Sequence, residues 1–247
     1  MILSHYSSLL ASSCLCAQLL ASPVAAQPSV TDIELTPGQR LTLVLPDADP
    51  SAEAQQEQYL AGTFAIAGQQ GFTEQHSFAV GEVLIGEHQP EALGIYSWPS
   101  IQSAQTMRNH PEVQRLAPLR EQGWHEMHII DVDIEQPLQM QFDARKRYTL
   151  AVLWLDDEAA YQRYLKATDP QRDAMGAKVV LIAPVAAFDS IDAPDLGDPS
   201  RIAIVEWPAD VAPKSYVQSP LFTASEAIVQ QAIGRIDWYE LRHWGGY

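Results

Sequence analysis

Apolar residues run almost without a break over 41–45 (LTLVL), 92–98 (ALGIYSW), 148–155 (YTLAVLWL), 177–188 (AKVVLIAPVAAF) and 201–207 (RIAIVEW). Their β-branched and aromatic content predicts strands. Between them, residues 52–71, 110–124, 159–176 and 219–236 predict helices. In the last, Leu221, Ile228, Ala232 and Ile236 recur near helical spacing, and Ser219 and Pro220 suit the N-cap and first helical positions. Pro118 interrupts the helix at 110–124 and predicts a kink or a late start. With further strands at 72–86, 125–134 and 237–244, the order from residue 41 is βαββαβ, and the same six elements recur from residue 148.

The recurrence is numerical. Tyr59, Leu60, Thr63 and Gly71 return as Tyr164, Leu165, Thr168 and Gly176, 105 residues on, and Trp98, Pro99 and Pro111 return as Trp207, Pro208 and Pro220, 109 residues on. Fixed offsets of this kind separate a repeated unit from a shared composition. The difference of four residues falls in DSIDAPDLGDPS (189–200), expected as a longer hairpin tip. The unbroken strands add a constraint. A four-stranded βαββαβ sheet has both helices on one face, and a solvated second face would make its strands alternate. Unbroken apolar strands therefore call for a second layer, and the other repeat supplies it.

Charge and leader refine this picture. The 31 acidic residues outnumber the 15 Lys and Arg, for a net charge of -16. No nucleic-acid partner is expected, because the one basic cluster, Arg145-Lys146-Arg147, is too short to track phosphates. Residues 1–26 hold no Asp, Glu, Lys or Arg, carry an apolar run too short for a stable membrane span and end in small residues at Val24 and Ala26. They are expected to be a signal peptide of a periplasmic or secreted protein. Removing them removes Cys14 and Cys16, so the mature chain would have neither disulfide nor thiol nucleophile. The expected division is a signal peptide (1–26), an N-terminal tail (27–40), the first repeat (41–135), a polar linker (136–147) and the second repeat (148–247).

The segment IVEWPADVAPKSYVQSPLF, with Tyr216, Ser219 and Pro220, and its counterpart with YSWPS and NHPEVQRLAPLR resemble the ferredoxin-like dimeric α/β-barrel superfamily. Within it they are most similar to the family called domain of unknown function 1330. The resemblance covers about 41–135 and 148–244, and it implies an α+β fold in which two ferredoxin-like repeats pack as an intramolecular dimeric α/β barrel. It also implies a monomer that is a pseudo-dimer, or a weak homo-oligomer. Such folds host cofactor-free and haem-dependent enzymes alike, so fold does not fix the reaction.

The copies differ at His110 against Ser219, Arg120 against Val229 and Ser97 against Glu206. His110, Arg120, Trp98 and Glu126 lie on elements that meet in this fold, and an imidazole with a carboxylate can do acid-base work. Glu206 interrupts an apolar strand, where burial would raise its pKa unless Arg201, Lys214 or Arg242 paired with it. Tyr161, Tyr164, Trp207 and Tyr216, with Ser219 at the helix start, are candidates to line an apolar pocket, although aromatics at such spacings more often build a core.

HEMH (125–128) is set aside as a metal motif, since His125 and His128 on a strand point to opposite faces. Asp189, Asp192, Asp195 and Asp198 lack the EF-hand pattern and read as a solvated acidic loop. No P-loop, dinucleotide fingerprint, GxSxG or CxxC is present, and no cofactor is expected. The leading expectation is an exported protein that binds or transforms a small apolar molecule, in a cavity unequal between the repeats. The alternatives are a non-catalytic interaction module of the same fold, and a haem protein with His110 or His128 as ligand.

Overall fold

The computed structural model describes residues 30–191 and 197–244, so the leader, Asp192 and Asp195 lie outside it. A strand β1 (Val30–Leu35) precedes the first βαββαβ unit. That unit runs β2 (Arg40–Ala48), α1 (Glu53–Gln69), β3 (Thr73–Ile85), β4 (Ala92–Trp98), α2 (Ile101–Arg108), α3 (Pro111–Gly123) and β5 (Trp124–Asp133). After β6 (Leu138–Asp143) comes the second unit, with β7 (Arg147–Leu155), α4 (Glu158–Ala174), β8 (Lys178–Pro184), β9 (Ala187–Ile191) and β10 (Arg201–Trp207). It closes with α5 (Pro213–Val217), α6 (Pro220–Ala224), α7 (Glu226–Ala232) and β11 (Ile233–Arg242).

Nine strands form one antiparallel sheet in the order β8-β10-β7-β11-β3-β4-β2-β5-β9. Each repeat contributes its strands in the same ferredoxin-like order, and β11 pairs with the second half of β3 to join them. The two outermost strands, β8 and β9, are separated in the chain by Val185 and Ala186 alone, so the sheet closes on itself as a barrel. β3 runs unbroken from its own sheet into the other repeat's, and β8 with β9 make the same crossing in two pieces.

The barrel accounts for the unbroken strands. Leu41, Leu43 and Leu45 of β2, Leu93 and Ile95 of β4, and Tyr148, Leu150, Val152 and Trp154 of β7 share one buried core between the sheets. The alternate positions face the helices, where Ala151, Leu153, Val205 and Trp207 pack with Tyr161 and Tyr164 of α4.

Three expectations are corrected. The stretches read as tail and linker each carry a strand: β1 and β6 pair antiparallel, and Ile33, Leu35, Met140 and Phe142 from this ribbon join the barrel core. The helix expected at 219–236 is two short helices followed by strand. Ala232 gives its carbonyl to the Asp156 amide, and Gly234 fits under Asp156 where a Cβ would lie 2.8 Å from its carboxylate, so β pairing wins over helical spacing. Leu221 is accordingly exposed and Ile236 lies in β11. Finally, α3 begins at Pro111 and runs through Pro118, so it does not start late, and α2 precedes it where no helix was foreseen.

The repeated Trp-Pro has a packing role. Gly71 follows α1 at φ +79° with a virtual Cβ 2.9 Å from the Pro99 ring, and Gly176 follows α4 at φ +75° with one 3.1 Å from Pro208. A left-handed glycine ends each helix and seats the proline of the turn after the third strand of the repeat. Ser219 caps α6 by accepting the Phe222 amide at 3.1 Å, as its spacing predicts.

Candidate functional site

Each repeat leaves space between its helices and the outer face of its sheet, and the two spaces are unequal. That of the first repeat has a volume of about 290 Å³, that of the second about 60 Å³. The larger is floored by Thr42 and Val44 of β2, Tyr96 and Trp98 of β4, and Met127 and Ile129 of β5. Its roof comes from α1, α2 and α3. Phe72 stacks on Tyr96 at 4.6 Å and 18°, and tilts against Trp98 at 4.6 Å, so one wall is a continuous aromatic surface.

A buried ion network fixes the floor. Arg40, almost wholly buried, donates from Nη1 to Asp131 Oδ2 at 2.8 Å and from Nε to Asp133 Oδ1 at 2.7 Å. Thr42 donates its hydroxyl to Asp131 Oδ1 at 2.6 Å and accepts the Trp98 indole N–H at 3.0 Å, which locks the Trp98 ring into the cavity wall. Arg108, at the end of α2, also pairs with Asp131 and lines the cavity. The second repeat keeps part of this frame: Arg147 pairs with Glu240 at 2.9 Å, and Trp207 donates to Thr149 at 3.1 Å.

The opposite wall carries Arg120. Its guanidinium binds Asp189 in a fork at 2.7 and 3.0 Å, although Asp189 lies on β9, which belongs by sequence to the second repeat. Burial would raise the Asp189 pKa, but the hydrogen bonds and charge of Arg120 outweigh it and hold the carboxyl below its usual range. The Tyr59 hydroxyl beside Arg120 is pushed up, mainly by burial. Among the described residues no histidine lines the cavity, and its charged groups, Arg108, Arg120 and Asp189, are all in ion pairs.

Of the residues singled out in the sequence, Arg120 and Trp98 line this cavity. His110 caps α3 instead, accepting the Glu112 amide at Nδ1 at 3.2 Å. Glu126 points into the barrel and contacts His128, so the acid-base group of His110, Arg120, Trp98 and Glu126 does not assemble. Glu206 accepts the Tyr148 hydroxyl at 3.1 Å and lies 4.0 Å from Lys146. Arg201, Lys214 and Arg242 are paired with Glu158, Glu82 and Glu240 instead.

Tyr161, Tyr164, Trp207 and Tyr216 surround the small second cavity and pack on one another as core, and the Ser219 hydroxyl donates to Gln171. Asp189, expected in a solvated acidic loop, lies on β9 instead and is paired with Arg120. Haem does not suit either proposed ligand. His110 does not line the cavity and its Nδ1 caps α3, and His128 is enclosed by His88, Trp154 and Phe188 inside the barrel.

Of the other cavity residues, Phe72 and Arg108 stand in no motif, Tyr96 stands in the sequence only as part of YSWPS, and Asp189 only as one of a row of acidic residues. The offsets held a signal for Arg108, since the matching residue 109 positions on is Val217. Asp189 could not be found that way, because its role depends on the crossing of β9 to β5.

Neither a protein-family model nor a curated protein matches the chain. Among solved structures it is similar to one described as an anthrone oxidase-like protein, with 13% identity, a TM-score of 0.51, and 85% of this chain and 95% of that chain covered. A mutant chlorite dismutase from Candidatus Nitrospira defluvii matches at 11% identity and a TM-score of 0.44 over 84% of this chain and 92% of that chain, too low to add weight. The first likeness agrees with the strand order in giving a ferredoxin-like dimeric α/β-barrel fold, formed within one chain. Among the described residues no helix is long and apolar enough to cross a membrane.

Proposed function

We propose that the protein binds or transforms a small aromatic molecule bearing an anionic or strongly polar group, held in the cavity of the first repeat without a nucleotide cofactor. The observation that carries this reading is the cavity of about 290 Å³ with a stacked aromatic wall of Phe72, Tyr96 and Trp98 facing two guanidiniums, Arg108 and Arg120. Its volume is close to the lower end of the ~300–1,000 Å³ typical of small-molecule sites, enough for a compact ring system. The pairing of every charged group in the wall favours recognition over acid-base turnover, and any reaction would rely on the ligand's own reactivity.

The likeness of 201–222 to domain of unknown function 1330 belongs to the same proposal, as does export through the leader at 1–26. N-terminal sequencing of protein from its own host should then begin at Gln27, and an intact Met1 would end the export reading.

Ligand binding is tested by titrating the protein with a panel of naphthalene and anthracene carboxylates and phenols, read through quenching of tryptophan fluorescence. Ile129→Trp copies the residue of the second repeat, Trp238, and fills the cavity floor. It should weaken binding by about tenfold or more, the loss of some 1.4 kcal/mol. A panel with no binder, or binding untouched by Ile129→Trp in a folded protein, would overturn the proposal.

A further inference from the structure

A second cluster lies inside the barrel, away from the cavity. Glu126 and His128 sit two residues apart on β5 and so share its inward face, the face of Ile130 in the barrel core. Their side chains touch, with Glu126 Oε1 2.5 Å from His128 Nε2. His88, in the connection from β3 to β4, lays its ring against His128 with centroids 4.0 Å apart. One ligating atom from each of the three residues can be chosen so that all lie within 4.8 Å of one another.

We propose that His88, Glu126 and His128 bind a divalent transition-metal ion of the zinc or iron(II) type, at a site buried between the two repeats.

Three observations support this. Both imidazoles are buried, His88 at 1% and His128 at 0% exposure, yet His88 Nε2 and His128 Nδ1 have no hydrogen-bond partner. Buried polar nitrogens are rarely left so, and a free one on His88, whose ring lies on that of His128 beside Glu126, points to an acceptor of lone pairs. Next, the His88 ring is held from outside: its Nδ1 lies 3.1 Å from the Tyr239 hydroxyl of β11, which leaves Nε2 as the nitrogen for a ligand. Such an outer partner is the usual means of fixing a histidine ligand. Finally, two imidazoles and one carboxylate suit zinc or iron(II), whereas calcium and magnesium take oxygen sets. Neighbouring ligand atoms in a tetrahedral site stand about 3.4 Å apart, so a modest turn of the side chains closes the set.

The surroundings fit a buried cation. Trp154 and Phe188 wall the cluster edge-on, and Glu126 keeps 22% of its side chain exposed. Arg235, a cation that would repel a metal ion, is paired with the buried Asp237 at 2.8 Å. Arg235 and Asp237 stand 109 residues after Glu126 and His128, so the same strand positions carry an ion pair in one repeat and metal ligands in the other. HEMH thus holds one half of a site whose other half is His88, not His125. The inference is independent of any ligand in the cavity.

The test is zinc titration by calorimetry of the chelator-stripped full chain with both cysteines alkylated, together with the absorption spectrum of the cobalt(II) form. One equivalent should bind, raise the melting temperature and give the strong visible bands of four- or five-coordinate cobalt. His88→Ala and Glu126→Gln, each checked for fold by circular dichroism, should weaken binding at least a hundredfold, and Tyr239→Phe by about tenfold. No stoichiometric binding by the folded parent, a weak six-coordinate cobalt spectrum, or unchanged affinity in a folded His88→Ala or Glu126→Gln protein would each overturn the proposal. Should both ligand variants fail to fold, the parent's stoichiometry and cobalt spectrum decide it.

Discussion

Where the first repeat has Met107, Val113 and Ile129, the second has Tyr216, Phe222 and Trp238, each 109 residues later. In the second repeat these three rings meet one another at 5.7 to 6.0 Å, and Tyr216 also meets Trp207 at 5.6 Å. In the first, the smaller side chains leave the cavity of about 290 Å³. The frame around both is the same: a tryptophan bonded to a threonine, an arginine paired with an acid on the fourth strand of the repeat, and a glycine that seats a proline. A duplicated unit can therefore give one copy to packing and the other to recognition without changing the joints that hold either in place.

The comparison breaks most severely at Trp238. Trp238→Ala should cost about 3–5 kcal/mol, because the aromatic cluster cannot collapse onto the void. Ile129→Ala at the equivalent position, half-buried against space that already exists, should fall at or below the low end of the ~2–5 kcal/mol range for such truncations. Urea denaturation of both variants measures the difference, and equal losses would mean that the two interiors are packed alike.

A second contrast lies inside the barrel, where His76 of β3 has Leu181 as its counterpart 105 residues on. Burial, reinforced by His243, lowers the His76 pKa to about 4, against about 6.5 in an unfolded chain. Between those values the unfolded chain binds more protons, so the contribution of His76 is intact above about pH 6.5 and is lost as pH falls toward about 4. His76→Leu, copying the second repeat, should lose less stability across that window than the parent does. Parallel curves of urea midpoint against pH would sink the assignment.

The smallest effect is expected at His110→Ser, which installs the cap residue of the second repeat. Serine is a strong N-cap, and the change should stay within about 0.5 kcal/mol in either direction. Thermal melts can check it. A larger loss would give His110 a role beyond capping α3.

Much of the architecture was legible because it rests on local rules applied twice. The offsets of 105 and 109, the capped helix starts and the unbroken strands led to two packed sheets, and β2, β4, β7 and β10 lie where the pattern put them. The failures share a cause. β1 and β6 are short and polar on one side, and they form only because each pairs with the other across more than a hundred residues. The helix at 219–236 breaks because Asp156, remote in sequence, takes the Ala232 carbonyl.

The candidate site was half legible for the same reason. Trp98 and Arg120 could be reached by comparing the copies, whereas His88, with no counterpart in a motif, becomes visible only once β3 and β5 stand in one sheet. Glu126 was grouped with His110 and Arg120, but its strand turns it inward, against His128.

The position of Asp189 means that the boundaries of the repeat and of the cavity do not coincide. A carboxylate encoded by the second repeat anchors the arginine that walls the first, by way of a strand that leaves its own sheet after Pro184. A gene cut between β6 and β7 would therefore separate the two repeats and leave the cavity of the first without the partner of its Arg120. Whatever selection acts on the cavity acts across the duplication, and it ties the copies into one inheritance.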